Sequence, residues 1–395
     1  MCLLAWAVVR GGGLPGAAAT ALGEKRASDK TILVGVCRRE LPRSVAEDHL
    51  DELARLVDTA GGRVVARSLQ DRPAPDPATY VGKGKVAELA EAAEALEAGF
   101  VVFDDELTPS QVKNLEKALP ARVLDRPAVI LEIFASRARS REAMTQVELA
   151  RLNYLLPRLA GSTSGLSQQR AGGMFRAGVG EKKIELDRRR IRRRIATLKE
   201  ELARIEKGRA VRRRRLSHVA TVALAGYTNA GKTTLFNRLT SSRELAEDRL
   251  FATLDPRHAR LLGVGGRPIV VTDTVGFLRK LPHDLVASFR STLSEVEEAD
   301  VVVHVVDAAS EAAEEERRVA EEVLSELGVA PERVLLVLNK SDLPGARSPG
   351  AEGMRVSAAT GEGLDALRAA VVDRLVALGV PVPLPGAAPE AAVAP

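Results

Sequence analysis

Between residues 31 and 140, continuous apolar runs alternate with segments whose apolar positions recur at three and four. "TILVGVC" (31–37) is an apolar run of strand length. "HLDELARLVDTAG" (49–61) has helical spacing and closes on glycine, as helices commonly do. "GRVVARSLQ" (62–70) reads as a second strand, "KVAELAEAAEALEAG" (85–99) as a helix, and "FVVFDDE" (100–106) as a third strand. "TPSQVKNLEKAL" (108–119) then predicts a helix with Thr108 as N-cap and Pro109 at the first helical position. This βαβα rhythm implies a small parallel sheet covered by helices.

From about 141 to 216 the rhythm stops. "REAMTQVELARLNYLLPRLA" (141–160) predicts one helix. A second runs from about 181 to 207, where Ile184, Ile191, Ile195, Leu198, Leu202 and Ile205 step by seven and then by four and three, a coiled-coil seam. The twenty residues between them (161–180) hold six glycines and three serines. They read as the tip of an antiparallel helical hairpin. Residues 218–380 return to βα alternation, with strands expected in "HVATVALA", "ARLLGV", "RPIVVTD", "DVVVHVVDA", "RVLLVLN" and "MRVSA". The fold class is therefore α/β. A small N-terminal parallel domain (30–140) is followed by the hairpin (141–216) and a doubly wound domain (217–380). Residues 1–29 read as a leader outside the fold, since no positive segment precedes their apolar stretch. The Pro/Ala-rich residues 381–395 read as a disordered tail.

Composition adds little until it is localised. Hydrophobic residues make up 45% and charged residues 28% of 395, ordinary values for a chain with real cores. Two cysteines, Cys2 and Cys37, exclude a disulfide framework and suggest a reducing cytoplasm. No apolar run is long enough to span a bilayer. Net charge is +5, yet residues 181–216 alone carry sixteen Lys or Arg against six Asp or Glu, so the remainder is mildly acidic. "DRRRIRRRI" sets six arginines within seven positions, a density that repels itself on a helix unless an anion neutralises it. Contact with RNA is expected there, through Arg188, Arg189, Arg190, Arg192, Arg193 and Arg194. Lys182, Lys183 and the tip residues Arg170 and Arg176 are expected to join them.

The chemistry sits in the third domain. "GYTNAGKTT" (226–234) has the P-loop spacing, between a predicted strand and a predicted helix. Its members Gly226, Tyr227, Thr228, Asn229, Ala230, Gly231, Lys232, Thr233 and Thr234 would wrap a phosphate chain. Lys232 would neutralise β/γ charge and the Thr233 hydroxyl would ligate Mg²⁺. "VVTDTVG" supplies Asp273 for the Mg²⁺ shell, then Thr274, Val275 and Gly276, the last with its N–H toward the γ-phosphate. Thr253 in "LFATLDP" has the position of a switch threonine closing over metal and γ-phosphate. The catalytic set is thus Lys232, Thr253 and Gly276, and the metal set Thr233, Thr253 and Asp273. "LLVLNKSD" brings Asn339, Lys340 and Asp342 to a strand end, where a carboxylate can accept from guanine N1–H and N2 together. Adenine offers neither donor and would leave that carboxylate unpaired. "VSAATGEG" puts Ser357 and Ala358 where backbone N–H groups can reach guanine O6, with Ala359 beside them expected among the nucleotide-binding residues. The ligand implied is GTP with Mg²⁺. Phe277 follows Gly276, where Ras-like proteins carry a water-orienting glutamine, so slow intrinsic hydrolysis is expected.

With these residues in view, the chain resembles the HflX family of translation-associated GTPases. "FATLDP" and "DTVGFLRKLPHDLVASFRSTLSEV" are similar to that family's switch regions, and "TYVGKGKVAEL", "QVELARLNYLLPRLAG" and "IELDRRRIRRRI" to its earlier segments. The resemblance covers roughly residues 31–378. It implies binding to the large ribosomal subunit and its rRNA, dissociation of stalled or idle ribosomes, and ribosome-stimulated GTP hydrolysis; a monomer is expected, although the seam of the second helix could pair between chains. The alternative is an assembly factor with incidental hydrolysis. "RAGVGEKKIE" (176–185) departs from the family's usual "RGPGETQLE", and "VGKGK" (81–85) lacks P-loop spacing and reads as a turn opening a helix.

Overall fold

The computed structural model describes residues 28–159, 177–215, 219–240, 242, 250–251, 254–261, 268–280, 290–346 and 353–382. These fall into two compact units. The first holds the N-terminal sheet and residues 145–200; the second holds 137–144 and everything described from 201 onward.

In the first unit, strands β1 (Lys30–Cys37), β2 (Arg63–Asp71), β3 (Phe100–Phe103) and β4 (Arg122–Asp125) form an all-parallel sheet in the order β2-β1-β3-β4. Helices α1 (Arg43–Thr59), α2 (Lys83–Ala95), α3 (Pro109–Ala118) and α4 (Arg126–Arg137) make the crossovers and covering layers. Thr108 caps α3 in a full capping box with Gln111, and Pro109 opens the helix, as the sequence predicts. Gly82 is the N-cap of α2, so "VGKGK" is a turn opening a helix. Two elements escape the sequence pattern. β4 has only four residues, and α4 is buried continuously from Arg126 to Phe134, which erases the one-sided stripe that marks a surface helix. At the other end, Asp29 already belongs to the fold, since its carbonyl accepts from Arg63 N at 2.9 Å. The described part of the expected leader thus ends in contact with the first residue of β2, just before β1; residues 1–27 lie outside the described residues.

The hairpin consists of α5 (Arg141–Arg158) and α6 (Ala177–Arg215). α6 corrects the expected bounds at both ends. It includes 177–180, read above as loop, because helix propagation from a long charged segment outweighs the roughly 1 kcal/mol cost of each glycine. It also runs past 207. Ile191 and Leu198 of the predicted seam are buried, and Ile195, Leu202 and Ile205 are half-buried. The last turn of α5 is fastened to the first sheet by Asp125, which is fully buried. Asp125 accepts from Leu107 N and Ala128 N, each at 3.1 Å, from the Tyr154 hydroxyl at 2.6 Å, and from Arg158 Nη2 at 2.7 Å.

The second unit is built on a six-stranded sheet in the order β10-β9-β8-β5-β7-β6. The strands are β5 (Ala220–Gly226), β6 (Arg257–Arg260), β7 (Ile269–Asp273), β8 (Val301–Asp307), β9 (Val334–Asn339) and β10 (Met354–Arg355). Only β6 is antiparallel, pairing with β7. The strand expected in "ARLLGV" is therefore shifted toward its N-terminal side, to 257–260. Helices α7 (Lys232–Thr240), α8 (Arg290–Glu298), α9 (Ala313–Glu326) and α10 (Leu364–Ala377) cover the sheet. Val222, Leu224, Val271, Val303 and Val305 form its core with Leu235 and Phe236 of α7 and Leu367 and Val371 of α10. β5 lies between β7 and β8, where chain order reverses, and the loop after it opens at the carboxyl edge, the usual ligand edge of such sheets.

Candidate nucleotide site

Residues 227–231 turn from β5 into α7. Three backbone conformations make that turn: Gly226 at φ +146°, Asn229 at +63° and Gly231 at +87°. A side chain cannot replace either glycine. A Cβ on Gly226 would stand 2.1 Å from the Val305 carbonyl, and one on Gly231 would stand 2.3 Å from Asn339 Nδ2. Lys232 opens α7 with its ammonium turned back into the loop, donating to the carbonyls of Gly226 (3.0 Å) and Tyr227 (2.7 Å). Burial pushes its pKa down to about 8, against the pull of Asp273. Behind the loop stands His304 of β8, also buried and held down at about 4 by burial first, then by Arg317 and Lys232.

Asp273 ends β7, beside Leu224 of β5, and is wholly buried. Its Oδ2 accepts from Thr233 Oγ1 at 2.8 Å. Two hard oxygens are thereby brought together next to the loop, which suits Mg²⁺, an ion that takes one or two protein oxygens and fills its shell with phosphate and water. Among the described residues no group of three or more His, Cys, Asp or Glu could hold a metal on protein ligands alone.

Beyond Asp273 the chain zips onto the P-loop. Thr274 Oγ1 donates to Leu224 O at 2.7 Å, Phe277 N to Gly226 O at 2.9 Å, and Thr228 N to Phe277 O at 2.8 Å. Val275 is buried within this stretch. Gly276 is pressed against Thr228 and Lys232: a Cβ there would lie 2.8 Å from Thr228 Cα and 2.9 Å from Lys232 Nζ. Phe277 is 1% exposed, a core side chain with no polar atom to offer a water molecule. Arg279 donates its backbone N–H to the Tyr227 hydroxyl at 2.9 Å, a tie between residues 52 apart that no local pattern signals.

At the other end of the loop, Asn339 is 1% exposed and engaged at both ends of its amide. It donates to Ala230 O at 2.8 Å and accepts from Ala358 N at 3.0 Å. Lys340, at φ +61°, pairs with Asp307 at 2.7 Å, and its Cε lies 3.9 Å from where a Gly231 Cβ would be. Asp342 is exposed. Both amides expected at guanine O6 are occupied: Ser357 N donates to Glu362 O and Ala358 N to Asn339 Oδ1, each at 3.0 Å. Arg238 of α7 holds this loop by the carbonyls of Ala358 and Ala359. Thr234 follows in the first turn of α7. Thr253 lies outside the described residues, as do Arg170 and Arg176. For Lys182 and Lys183 only the helical backbone is described. On α6, Arg194 forms a two-pronged pair with Glu148 at 2.7 Å, Arg190 reaches Asp187 at 3.4 Å and Arg192 reaches Glu185 at 4.0 Å. Arg189 and Arg193 are exposed.

Strand, phosphate loop and helix, with an aspartate on the neighbouring strand and an Asn-Lys-Ser-Asp turn across the sheet edge, define a P-loop GTPase. Residues 47–135 match the family described as GTP-binding GTPase N-terminal, 137–215 its middle region, and 221–340 the 50S ribosome-binding GTPase family. The chain is 47% identical over 350 residues to the GTPase HflX of Lacrimispora saccharolytica, covering 87% of this chain and 82% of that one. It is 43% identical over 338 residues to the GTPase HflX of Escherichia coli, covering 83% and 79%. The chain belongs to the HflX family of GTPases. Among solved structures it is similar to a GTP-binding protein from the archaeon Sulfolobus solfataricus in complex with GDP, at 25% identity and a TM-score of 0.45, over 88% of this chain and 99% of that one. Among the described residues no helix is long and apolar enough to cross a membrane.

Proposed function

We propose that this GTPase is a GTP-gated switch that docks on the large ribosomal subunit and couples its nucleotide cycle to dissociation of stalled or idle ribosomes. The observation that carries the reading is one sheet edge holding both a phosphate cradle (Lys232, Thr233, Asp273) and the Asn339–Asp342 turn, in a chain whose α6 bears an arginine band. Residues 226–234 would hold the triphosphate, with Lys232 against the β/γ oxygens and the Gly276 N–H toward the γ-phosphate. Thr233, Asp273 and Thr253 would hold Mg²⁺, whose charge would offset that of the phosphates. Asp342 would accept from guanine N1–H and N2, Ala359 would donate to O6, and Asn339 would fix the loops that carry them. The stem of Lys340 would lie along the base. γ-Phosphate contacts order Thr253 and the segment after Gly276, and hydrolysis releases them. The arginines of α6, with Lys182, Lys183, Arg170 and Arg176, would meet rRNA phosphates.

One observation favours a second reading. The apolar, buried Phe277 leaves the site without a water-orienting group at that position, which would suit an assembly factor that keeps GTP as a structural ligand. Turnover with purified subunits separates the two. Under the splitting reading, 50S subunits raise the rate at least tenfold and Lys232→Ala abolishes GTP-dependent splitting in a gradient assay, a loss in the range of a removed charge-stabilising group. Stimulation of less than a few-fold favours assembly.

A further inference from the structure

Asp255 follows Thr253 by two residues in "FATLDP". Its carboxylate meets the start of the hairpin. It accepts from the backbone N–H groups of Arg139 and Ser140, each at 3.1 Å, and from the Ser140 hydroxyl. Ser140 Oγ accepts in turn from Ala143 N at 3.0 Å, and Ser140 O from Met144 N at 2.9 Å. Ser140 therefore caps α5, and Asp255 sets a negative charge at the positive end of that 18-residue helix. A second tie lies close by in sequence. Arg209 of α6 reaches Glu142 of α5 at 3.2 Å and Glu295 of α8 at 3.7 Å, and Arg141 reaches Glu201 at 2.7 Å. All these residues belong to the second unit, with the nucleotide site. Neither nucleotide nor RNA accounts for Asp255: it faces a helix start.

We propose that Asp255 is the positioning residue that couples nucleotide state to the base of the hairpin. The segment that carries the switch threonine also caps the arm's first helix, so that segment cannot rearrange without breaking three hydrogen bonds or moving the helix start with it. The inference rests on the reading of Thr253 as a switch residue. It needs no contact of Asp255 with GTP, Mg²⁺ or RNA.

The test uses the full chain and two readouts. In the first, without ribosomes, hydrogen exchange at the amides of residues 140–144 is compared between GDP and a non-hydrolysable GTP analogue. The wild type should differ between the two states by about fivefold or more, the lower range of ordinary coupling. Asp255→Ala, the shape-preserving Asp255→Asn and the separate Ser140→Ala should each shrink that difference, while GDP affinity and intrinsic turnover stay within about twofold. In the second, the ratio of 50S affinities in the two nucleotide states should fall toward one in the same variants. Identical exchange in both states of the wild type overturns the inference, as does a wild-type difference persisting in Asp255→Ala and Asp255→Asn. A wild type with no 50S preference but a nucleotide-dependent exchange difference would sink the ribosome reading and leave this one standing.

Discussion

Lys232 donates to two carbonyls of its own loop and is surrounded by protein, so its ammonium is held at a cost that brings its pKa to about 8. A triphosphate laid in the cradle favours the charged form and raises that value again. Above pH 7.5 the empty site is therefore partly deprotonated and the filled site is not, which means that binding takes up a proton. Calorimetry in buffers of different ionisation heat should find about half a proton taken up at pH 8 and almost none at pH 6.5. Zero uptake at pH 8 would show that Lys232 keeps its charge in the empty loop. Asn339 teaches a related point. Its residue type and strand-end position were legible, but the partners of its amide were not, because Ala230 and Ala358 lie 109 and 19 residues away. The sequence likewise offered Ser357 and Ala358 as base readers, and only packing reveals that their amides are taken.

Among elements, legibility followed amphipathicity and motif. Most strands flanked by periodic helices, the N-cap at Thr108 and the strand–turn–helix of the P-loop carry local signals and stand near where the pattern put them, while the strand expected in "ARLLGV" is displaced to 257–260. β4 and α4 do not, since a four-residue strand and a helix buried along most of its length present no alternation to read. Asp125 belongs to that hidden part. It satisfies four donors from three segments, including Tyr154 and Arg158 at the end of α5. Asp125→Ala would strand the mostly buried Arg158 charge and should cost about 3 kcal/mol, visible as a lower urea midpoint of the first unit. A change of less than about 0.5 kcal/mol would mean that water takes the carboxylate's place.

For the whole molecule, charge is divided sharply: a chain of net +5 keeps its excess on one helix. If rRNA neutralises that helix, log affinity for 50S subunits should fall linearly with log salt. Arg189→Ala or Arg193→Ala should each flatten the slope by about 0.7 to 0.9, one phosphate's worth. Arg194→Ala should flatten it less, because Glu148 already occupies that guanidinium. Slopes unchanged by Arg189→Ala and Arg193→Ala would place the polyanion elsewhere. The amide of Asn339 has a consequence at this scale too. By bracing the phosphate loop against the turn after β10, it joins the loops that would hold phosphate and base in one frame. Changes that loosen this frame should therefore weaken nucleotide binding mainly by speeding release rather than by slowing capture.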